Sequence, residues 1–446
     1  MECTGQHVVI IGGGFGGLSA VRTLGNLPGR ITIIDKQNYH LFQPLLYQVA
    51  TGLLCPSEIT APLRHILRKQ KNTQVLLGEV VDFDPEGKRV ILADGAMEYD
   101  TLIVAAGMEN HYFGHDEWAQ FAPGLKTIED TAEIRNRIFY AFEVAEREAD
   151  PDLRKEWLTF VVIGGGATGI ELSGMIAEIA QNTLKDEFRS IHPEESQIII
   201  LDSADRILPG YPADLSRKAE ESLISIGVKP MTGARVVDMD EKGITLNRKG
   251  STQRLPARTL LWATGVRASP LGRNLAEKTG ATLDPQGRVM VAPDLSVSAH
   301  PEIFVIGDLA HCKGKSGTPL PGLAPVATQQ GRYVAGIIIG RLSGKIGHRP
   351  FRYFDKGTLA VIGRNSAVAA IGRWHFGGYF AWLLWLFIHL LLLINFENRL
   401  IILIRWAFQY ISYRHGARQL SLKGRLELPV TKTENKPAPF LSEKRT

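Results

Sequence analysis

The chain is poor in cysteine, and the cysteines it has are isolated. Its 446 residues include only Cys3, Cys55 and Cys312, and none of them belongs to a C-x-x-C or C-x4-C pair. This spacing argues against a redox-active dithiol and leaves a metal–thiolate site without ligands, so we predict no bound metal. Isolated cysteines are also typical of proteins from a reducing compartment.

The sequence has neither a concentrated charge nor a long apolar segment. Its formal net charge is +5, and basic residues cluster only near the C-terminus, so we expect no nucleic-acid partner. The longest apolar run, residues 379–394, is shorter than the roughly 20 residues that a membrane-spanning helix needs. The first strand is predicted to begin near His7, which leaves no room for a signal peptide.

Two glycine-rich turns are present, each between a predicted strand and a predicted helix. In the G-x-G-x-x-G pattern, the first glycine turns the chain and the second lets the backbone approach a pyrophosphate. The third glycine lets the helix pack closely on the strand. The glycines concerned are Gly12, Gly14 and Gly17 in the first copy and Gly164, Gly166 and Gly169 in the second. Two copies in this context predict two dinucleotide sites, typically a bound flavin and a visiting nicotinamide.

An acidic residue ends the strand predicted after each turn. Asp35 ends ITIID and Asp202 ends IIILD, where a carboxylate hydrogen-bonds the ribose hydroxyls of a dinucleotide. Asp202 should also repel a 2′-phosphate, which favours NADH over NADPH. The alternative is that Asp202 only ends a strand and begins a turn.

Further apolar strands set the predicted architecture. Residues 101–108, 259–266 (with Gly265) and 302–310 (with Asp308) each end in small residues and glycine or aspartate. We predict an α/β fold with two Rossmann-type domains, one inserted in the other, and a C-terminal helical membrane-docking segment. The predicted bounds are 1–113 and 269–345 for the first dinucleotide domain, 114–158 for a connecting amphipathic helix, 159–268 for the second domain, 346–420 for the C-terminal region and 421–446 for a disordered tail.

Four longer motifs narrow the interpretation. Residues 38–52, 160–174, 320–335 and 354–364 resemble the type II NADH:quinone oxidoreductases, which are single-subunit, non-proton-pumping flavoproteins. The resemblance spans about residues 7 to 415. It implies FAD in the first domain, NADH as the substrate in the second, and transfer of two electrons to a membrane quinone.

The resemblance also implies roles for single residues. FAD would be held by the first glycine set, by Asp35 at its ribose, by Asp308 at its ribityl chain and by the backbone of Ala327 near its isoalloxazine. NADH would be held by the second glycine set and Asp202, with Gly265 in the ATG segment beside the site. A cofactor of this kind supplies the redox chemistry, whereas the protein positions the reactants.

Three residues are candidates for the chemistry itself. Glu171 matches the family glutamate near the nicotinamide, and we place it in the first turn of the second helix, where the helix dipole stabilises a carboxylate. The alternative is a helix-start charge without a chemical role. Gln329 and Gln330 are candidates for meeting the quinone, although Pro325 stands where many members carry a glutamine. The alternative is that both glutamines only support flavin packing.

The C-terminal apolar runs, residues 379–394 and 401–413, predict a helical hairpin that lies in one leaflet. Trp374, Trp382, Trp385 and Trp406 resemble an aromatic belt at a headgroup boundary. The alternatives are a buried core helix and a dimer interface, and a homodimer is left open. We place the protein on the cytoplasmic face of the inner or plasma membrane. The basic residues available to anionic lipid are Arg399, Arg405, Arg414, Arg418, Lys423 and Arg425.

Two other functions are open at this point. The nearer one is a sulfide:quinone-type flavoprotein, which needs paired reactive cysteines that this sequence does not space suitably. The other is a nucleotide-binding redox sensor or scaffold with slow turnover. Reduction of the flavin by NADH would argue against the sulfide-oxidising enzyme. Fast turnover with a quinone would argue against the sensor or scaffold.

Overall fold

The computed structural model describes residues 5–315, 317–345, 347–412 and 416–420. The first stretch of chain contains β1 (His7–Ile11), α1 (Phe15–Thr23), β2 (Arg30–Asp35), β3 (Tyr39–Leu41), α2 (Leu46–Ala50), α3 (Pro56–Ile59), β4 (Thr60–Pro62), α4 (Leu63–Leu67), β5 (Thr73–Leu77), β6 (Val80–Asp84), β7 (Arg89–Leu92), β8 (Gly95–Glu98), β9 (Thr101–Val104), β10 (Met108–Asn110), α5 (Ile128–Arg147) and α6 (Pro151–Trp157).

The second stretch contains β11 (Thr159–Ile163), α7 (Ala167–Glu178), β12 (Gln197–Leu201), α8 (Ala213–Ser225), β13 (Val228–Met231), β14 (Ala234–Asp240), β15 (Gly243–Arg248), β16 (Ser251–Pro256), β17 (Thr259–Trp262) and β18 (Val266–Ala268). The last stretch contains α9 (Pro270–Thr279), β19 (Val289–Met290), β20 (Ser296–Val297), β21 (His300–Val305), β22 (Ala310–His311), α10 (Ala324–Leu342), β23 (Thr358–Gly363), β24 (Ser366–Ile371), β25 (Trp374–Gly378), α11 (Tyr379–Leu392) and α12 (Phe396–Ser412).

Two mainly parallel sheets form the centre of the molecule. The first has the strand order β20-β21-β9-β1-β2-β5, and the second has the order β13-β12-β11-β17. The strands that precede the glycine turns, β1 and β11, are buried along their whole length, as expected for apolar strands covered on both faces. Each sheet is therefore a dinucleotide-binding unit of the predicted α/β type.

The second unit is inserted in the first. The chain leaves the first sheet after β9, builds the second sheet, and returns along β18, which pairs antiparallel with β10. It then completes the first sheet with β21, which runs parallel to β9. This order confirms the predicted fold class.

The connecting helix links the two units, because α5 packs against α2 of the first and β17 of the second. The connecting helix α5 begins at a capping box in which Thr127 Oγ1 accepts from the Asp130 backbone N–H. Its apolar residues Ile134, Ile138 and Phe142 are fully buried, as their helical spacing predicts. In the first unit, α10 packs along α1, the helix that follows the first glycine turn.

The C-terminal region adds a small sheet and a helical hairpin. Strands β23, β24 and β25 form an antiparallel sheet beside α7 and α8, and α11 and α12 follow. The inner face of the hairpin buries Trp385 and Trp406, whereas Phe380, Phe396 and Ile411 on its outer face are 78%, 77% and 82% exposed. Among the residues described here, no helix is both long enough and apolar enough to cross a membrane. The predicted disordered tail, residues 421–446, lies outside the described residues.

Candidate active site

The first glycine turn joins β1 to α1 and has the geometry of a phosphate cradle. Gly12 has φ +98°, and a Cβ atom there would lie 2.4 Å from the carbonyl oxygen of Ala105. A Cβ at Gly17 would lie 1.9 Å from the Gly12 oxygen, so helix and turn approach too closely for any side chain. A Cβ at Gly14, in contrast, would meet nothing within 4 Å. That open space at the start of α1 fits a pyrophosphate.

Asp35 ends β2 beside this turn. Its carboxylate accepts hydrogen bonds from the backbone N–H groups of Gly13, at 2.5 Å, and Gln37, at 2.7 Å. These bonds fix the carboxylate at the edge of the cradle and leave lone pairs for a ribose hydroxyl. Burial raises the pKa of Asp35, and the two backbone hydrogen bonds oppose that shift.

The return of the chain brings Asp308 and Ala327 to the same place. Asp308 lies in a 3-10 turn after β21, and burial raises the pKa of its carboxyl, against the nearby charges of Lys126 and Arg288. Ala327 is buried in α10, and its carbonyl oxygen would lie 3.5 Å from a Cβ built at Gly16. The residues expected to hold FAD are thus brought together, and the open cradle fits its pyrophosphate.

The second glycine turn repeats the first. Gly164 has φ +120°, a Cβ at Gly169 would lie 1.8 Å from the Gly164 oxygen, and a Cβ at Gly166 would meet nothing within 4 Å. Asp202 accepts from the backbone N–H of Gly165 at 2.5 Å and of Ala204 at 2.7 Å, as Asp35 does in the first unit. This match fits a second dinucleotide.

A cavity of about 420 Å³ lies beside the second cradle, and Gly164, Asp202, Phe113, His115 and Trp262 are among the residues that line it. Its volume and aromatic wall suit the adenosine half of a dinucleotide. Gly265 lies next to it with φ +64°, where a Cβ would be 2.3 Å from the carbonyl oxygen of His111. Only glycine fits this crossing of the two chain segments.

Glu171 lies further along α7 than we predicted, beyond the first turn of the helix. The helix begins at Ala167 and has no acidic residue in its first turn, so the expected dipole stabilisation of Glu171 is wrong. Burial dominates instead and raises the pKa of Glu171 to about 8, against a hydrogen bond from the Val361 backbone N–H. Trp385 Nε1 is near enough to favour the charged form, but its geometry is not that of a hydrogen bond. A buried carboxyl in this range can exchange a proton near neutral pH.

A larger cavity, of about 470 Å³, opens between α7 and the C-terminal hairpin. Its wall is mostly apolar and comes from α11 and α12, including Trp382, Leu386 and Leu403. Its polar lining residues are Tyr47, Gln48, Glu171, Glu178, Arg364 and Gln409. The cavity therefore connects a carboxylate of the second unit with the exposed apolar helices.

Gln329 and Gln330 do not line this cavity. Gln330 is 1% exposed, and its Oε1 accepts from the backbone N–H of Gly307 at 2.7 Å. Gln329 bonds the Phe354 backbone twice, donating to its oxygen at 2.9 Å and accepting from its N–H at 3.0 Å. Gln330 thus holds the turn at Gly307 in the first unit, and Gln329 holds the segment at Phe354 that leads to β23. The assignment of both glutamines to the quinone stays a prediction.

Sequence reasoning missed several polar residues of the large cavity. Glu178 follows Glu171 by seven residues, which places both on one face of α7, and this spacing was a usable signal. Tyr47 and Gln48 belong to the long motif at residues 38–52, and Arg364 ends the motif at 354–364. Gln409 carried no such signal, because only the folded hairpin brings α12 to α7.

Comparisons with known proteins agree with this geometry. Residues 6–331 match the pyridine nucleotide-disulphide oxidoreductase family, and residues 356–415 match the NDH2 C-terminal domain. The chain is 45% identical over 436 residues to the type II NADH:quinone oxidoreductase Ndh of Mycobacterium tuberculosis, covering 96% of this chain and 93% of that protein. It is 46% identical to NdhA of the same organism, covering 92% of this chain and 89% of that protein.

Solved structures show the same fold. NDH2 of Plasmodium falciparum, in complex with NADH, has a TM-score of 0.82 at 20% identity, covering 91% of this chain and 98% of that one. The sulfide:quinone oxidoreductase of Aquifex aeolicus is also similar in fold, with a TM-score of 0.70 at 18% identity over 92% of each chain. The sulfide-oxidising alternative is not favoured, because residues 356–415 match the NDH2 C-terminal domain and the relatives at 45% and 46% identity are named NADH:quinone oxidoreductases.

Transfer of electrons from NADH to a quinone is the activity that these relatives' names describe, and they are enzymes rather than scaffolds. With two dinucleotide cradles, an NDH2 C-terminal domain, and 45% identity over almost its full length, the chain belongs to the type II NADH:quinone oxidoreductase family.

Proposed function

We propose that the quinone enters the 470 Å³ cavity between α7 and the C-terminal hairpin. The observation that carries this proposal is the composition of the cavity wall. The wall carries Glu171, on the helix that begins at the NADH cradle, together with apolar residues of α11 and α12. A quinone has a polar head and an apolar tail, and this wall offers a matching surface for each.

FAD would supply the redox chemistry, which is hydride acceptance from NADH and release of two electrons, while the protein binds and orients the reactants. The N-terminus of α1 and Asp35 would hold the FAD pyrophosphate and ribose, and Asp308 and Ala327 would hold the rest of the flavin. The second cradle and Asp202 would hold NADH. Glu171, which is protonated below pH about 8, holds a proton at the wall of the cavity.

Gln329 and Gln330 have a supporting part in this proposal. Gln330 bonds the backbone at Gly307, next to Asp308 of the proposed flavin site, and Gln329 bonds the backbone at Phe354, between α10 and β23. This corresponds to the flavin-packing alternative rather than to direct contact with the quinone. Pro325, near the N-terminus of α10, is consistent with it because proline offers no hydrogen-bond donor to a head group.

The hairpin is proposed to dock on the cytoplasmic face of the membrane, in one leaflet. Exposed apolar side chains such as Phe380, Phe387 and Phe408 would each contribute roughly 1.5–3 kcal/mol on burial. Basic residues near anionic lipid add about 1 kcal/mol each. Of the predicted basic set, Arg405 pairs with Glu58 and Arg418 with Glu187, while Arg414, Lys423 and Arg425 lie outside the described residues. Apolar burial is thus the larger contribution.

The test is a variant that fills the cavity. Leu386 lies on its wall and is partly buried, so Leu386→Trp should block the quinone without touching either cradle. We expect NADH:quinone activity to fall at least about tenfold and NADH:ferricyanide activity to stay within about twofold. Ile224→Trp, at a 57% exposed position on α8, is the matched control and should change neither. Full quinone activity in Leu386→Trp would place the quinone elsewhere.

A further inference from the structure

Glu178 is a second carboxyl in the large cavity. It ends α7, two turns after Glu171, so the two side chains are about 10 Å apart along the helix axis. Both line the cavity and keep some accessible surface towards it, while the surrounding protein removes most of their hydration. Burial accordingly raises the pKa of Glu178 to about 7, against the Arg364 charge and a hydrogen bond from Gln409.

The groups that face Glu178 come from several elements. From α12, Gln409 Nε2 donates to Glu178 Oε1 at 2.5 Å, and the Tyr410 ring stacks on Arg364 with the guanidinium carbon 4.1 Å from the ring centroid. Arg364 itself follows β23 and donates to the Tyr410 backbone oxygen. Glu171 is the carboxyl on the same helix, and Tyr47 lines the same cavity from α2. Glu178 is thus polarised by one cation and one amide.

Tyr47 is oriented to donate into the cavity. Trp406 Nε1 donates to Gln48 Oε1 at 2.9 Å, and Gln48 Nε2 donates to Tyr47 Oη at 3.0 Å. Because Tyr47 Oη already accepts this bond, its own proton is available to another acceptor. Burial, and after it the charges of Glu171 and Glu178, raise the pKa of the fully buried Tyr47 hydroxyl, and all three side chains line the same cavity.

Reduction of a quinone needs a proton that NADH does not carry. NADH gives a hydride, which is two electrons and one proton, and the quinone takes two electrons and two protons. One proton per quinone must therefore come from solvent. The apolar wall of the cavity restricts the places from which it can arrive, whereas Glu178 lies near the end of α12, where Ile411 is 82% exposed.

We propose that Glu178 is the outer end of a proton path that supplies the quinone cavity through the Tyr47 hydroxyl to Glu171; this rests on the proposed function of the cavity. Glu171 gives its proton to a quinone oxygen, and Tyr47 passes its hydroxyl proton to the Glu171 carboxylate. Tyr47 takes a proton from Glu178, and the Glu178 carboxylate takes one from solvent. The protein is unchanged after each cycle, and one solvent proton has reached the quinone.

The first test compares an acceptor that takes protons with one that does not. In FAD-loaded Glu178→Gln, the amide can still accept from Gln409, but it holds no transferable proton. We expect kcat with a short-chain quinone to fall about tenfold at pH 6, where Glu178 of the wild type holds its proton; this is a modest fraction of what general acid–base groups contribute. Quinone KM and ferricyanide turnover should stay within about twofold. Glu178→Asp should recover part of the loss, and Glu143→Gln, an exposed carboxyl on α5, should resemble wild type.

The pH dependence separates proton transfer from a structural role. In wild type, quinone kcat should fall as the pH rises through about 7, because Glu178 then loses its proton. In Glu178→Gln this decline of quinone kcat near pH 7 should be absent. Gln409→Leu removes a hydrogen bond that favours the Glu178 carboxylate, so the decline of quinone kcat should move to higher pH. If Glu178 has only a structural role, quinone kcat should decline at the same pH in Gln409→Leu as in wild type. This comparison remains possible if Glu178→Gln does not fold.

A spectroscopic readout needs no turnover. pH-difference infrared spectra of the resting protein should contain a protonated-carboxyl band that titrates near neutral pH, is lost in Glu178→Gln and is kept in Glu143→Gln. Wild-type quinone kinetics and an unchanged band in Glu178→Gln would overturn the proton path. If Leu386→Trp blocks the quinone while Glu178→Gln behaves as wild type, only the path fails. If Leu386→Trp has no effect on quinone turnover, the assignment of the cavity to the quinone is wrong.

Discussion

At the scale of the residue, much of the chemistry depends on individual carboxyl groups, and their surroundings give them different roles. Asp35 and Asp202 each accept two backbone N–H groups, so they are positioned as hydrogen-bond acceptors for ribose. Glu171 and Glu178 lie in a largely apolar cavity, where burial raises their pKa values to about 8 and about 7. The first pair is suited to binding and the second pair to holding protons.

Glu171→Gln tests the inner carboxyl. The amide keeps the shape of the side chain and removes its proton exchange, so FAD should stay bound and quinone turnover should fall by roughly 100-fold. In wild type, raising the pH through about 8 deprotonates Glu171, so quinone turnover should decline there, and the variant should lose this dependence. Steady-state rates between pH 6 and 9, with FAD content measured beside them, provide the check. Unchanged turnover at every pH would reduce Glu171 to a packing residue.

Asp202→Ala tests the choice of nicotinamide. Loss of the carboxylate removes both the ribose hydrogen bond and the repulsion of a 2′-phosphate, so the preference for NADH over NADPH should narrow, chiefly through a higher KM for NADH. A tenfold rise corresponds to about 1.4 kcal/mol, a typical value for one hydrogen bond to a charged group. Asp205→Ala, at an exposed position in the same loop, is the control and should keep the wild-type preference. Equal use of both donors by wild type contradicts this role of Asp202.

At the scale of the element, the two faces of the hairpin formed by α11 and α12 differ in burial. Its inner face packs Trp385 and Trp406 into the main core, and its outer face exposes large apolar side chains to solvent. Contiguous exposed apolar surface of this kind marks a contact with membrane or partner. Because the two faces use different residues, membrane binding can be altered without disturbing the core.

Phe380→Ser, Phe387→Ser and Phe408→Ser together should weaken membrane binding. All three side chains are at least 59% exposed, so FAD content and ferricyanide activity should stay as in wild type. Sedimentation with lipid vesicles should show most of the triple variant in the supernatant, while wild type sediments even in high salt and is released by detergent. Release of wild type by salt alone would mean that charge, rather than apolar burial, holds the protein to lipid.

At the scale of the whole molecule, the hairpin ties the two dinucleotide units together. Asn398 Nδ2 donates to the backbone oxygens of Glu58 and Thr60 at 2.8 and 3.2 Å, and Arg405 pairs with Glu58 in the first unit. Gln409 bonds Glu178 in the second unit. The hairpin thus links the first and second units through hydrogen bonds and an ion pair.

A chain that ends at Ile371 should therefore be less stable as well as less membrane-bound. It loses the buried Trp385, Ile402 and Trp406 and leaves Glu58 without its cation. We expect the melting temperature, followed by flavin fluorescence, to fall by roughly 5 °C or more, with lower FAD occupancy. The triple surface variant serves as the control, since it should keep the wild-type melting temperature. An equally stable truncated chain would mean that the hairpin is a detachable anchor.

The sequence by itself determined the two cradles, their aspartates, the insertion of one unit in the other and the helical hairpin. These features depend on local patterns, because glycine spacing, apolar strands and helical periodicity act over a few residues. The resemblance of four motifs was likewise sufficient for the family. Glu171 was found by resemblance, but the dipole argument for it was wrong, because only the folded chain shows where α7 begins and how deeply Glu171 is buried.

The tertiary structure alone decided the cavity and its polar residues. Tyr47, Glu178, Arg364 and Gln409 are far apart in the chain and meet only because α2, α7, β23 and α12 pack around one space. Burial raises the pKa values of Tyr47 and Glu178, and desolvation is a property of the surroundings and not of the residue type. The same packing engaged Gln330 with Gly307, a bond that no sequence pattern indicates.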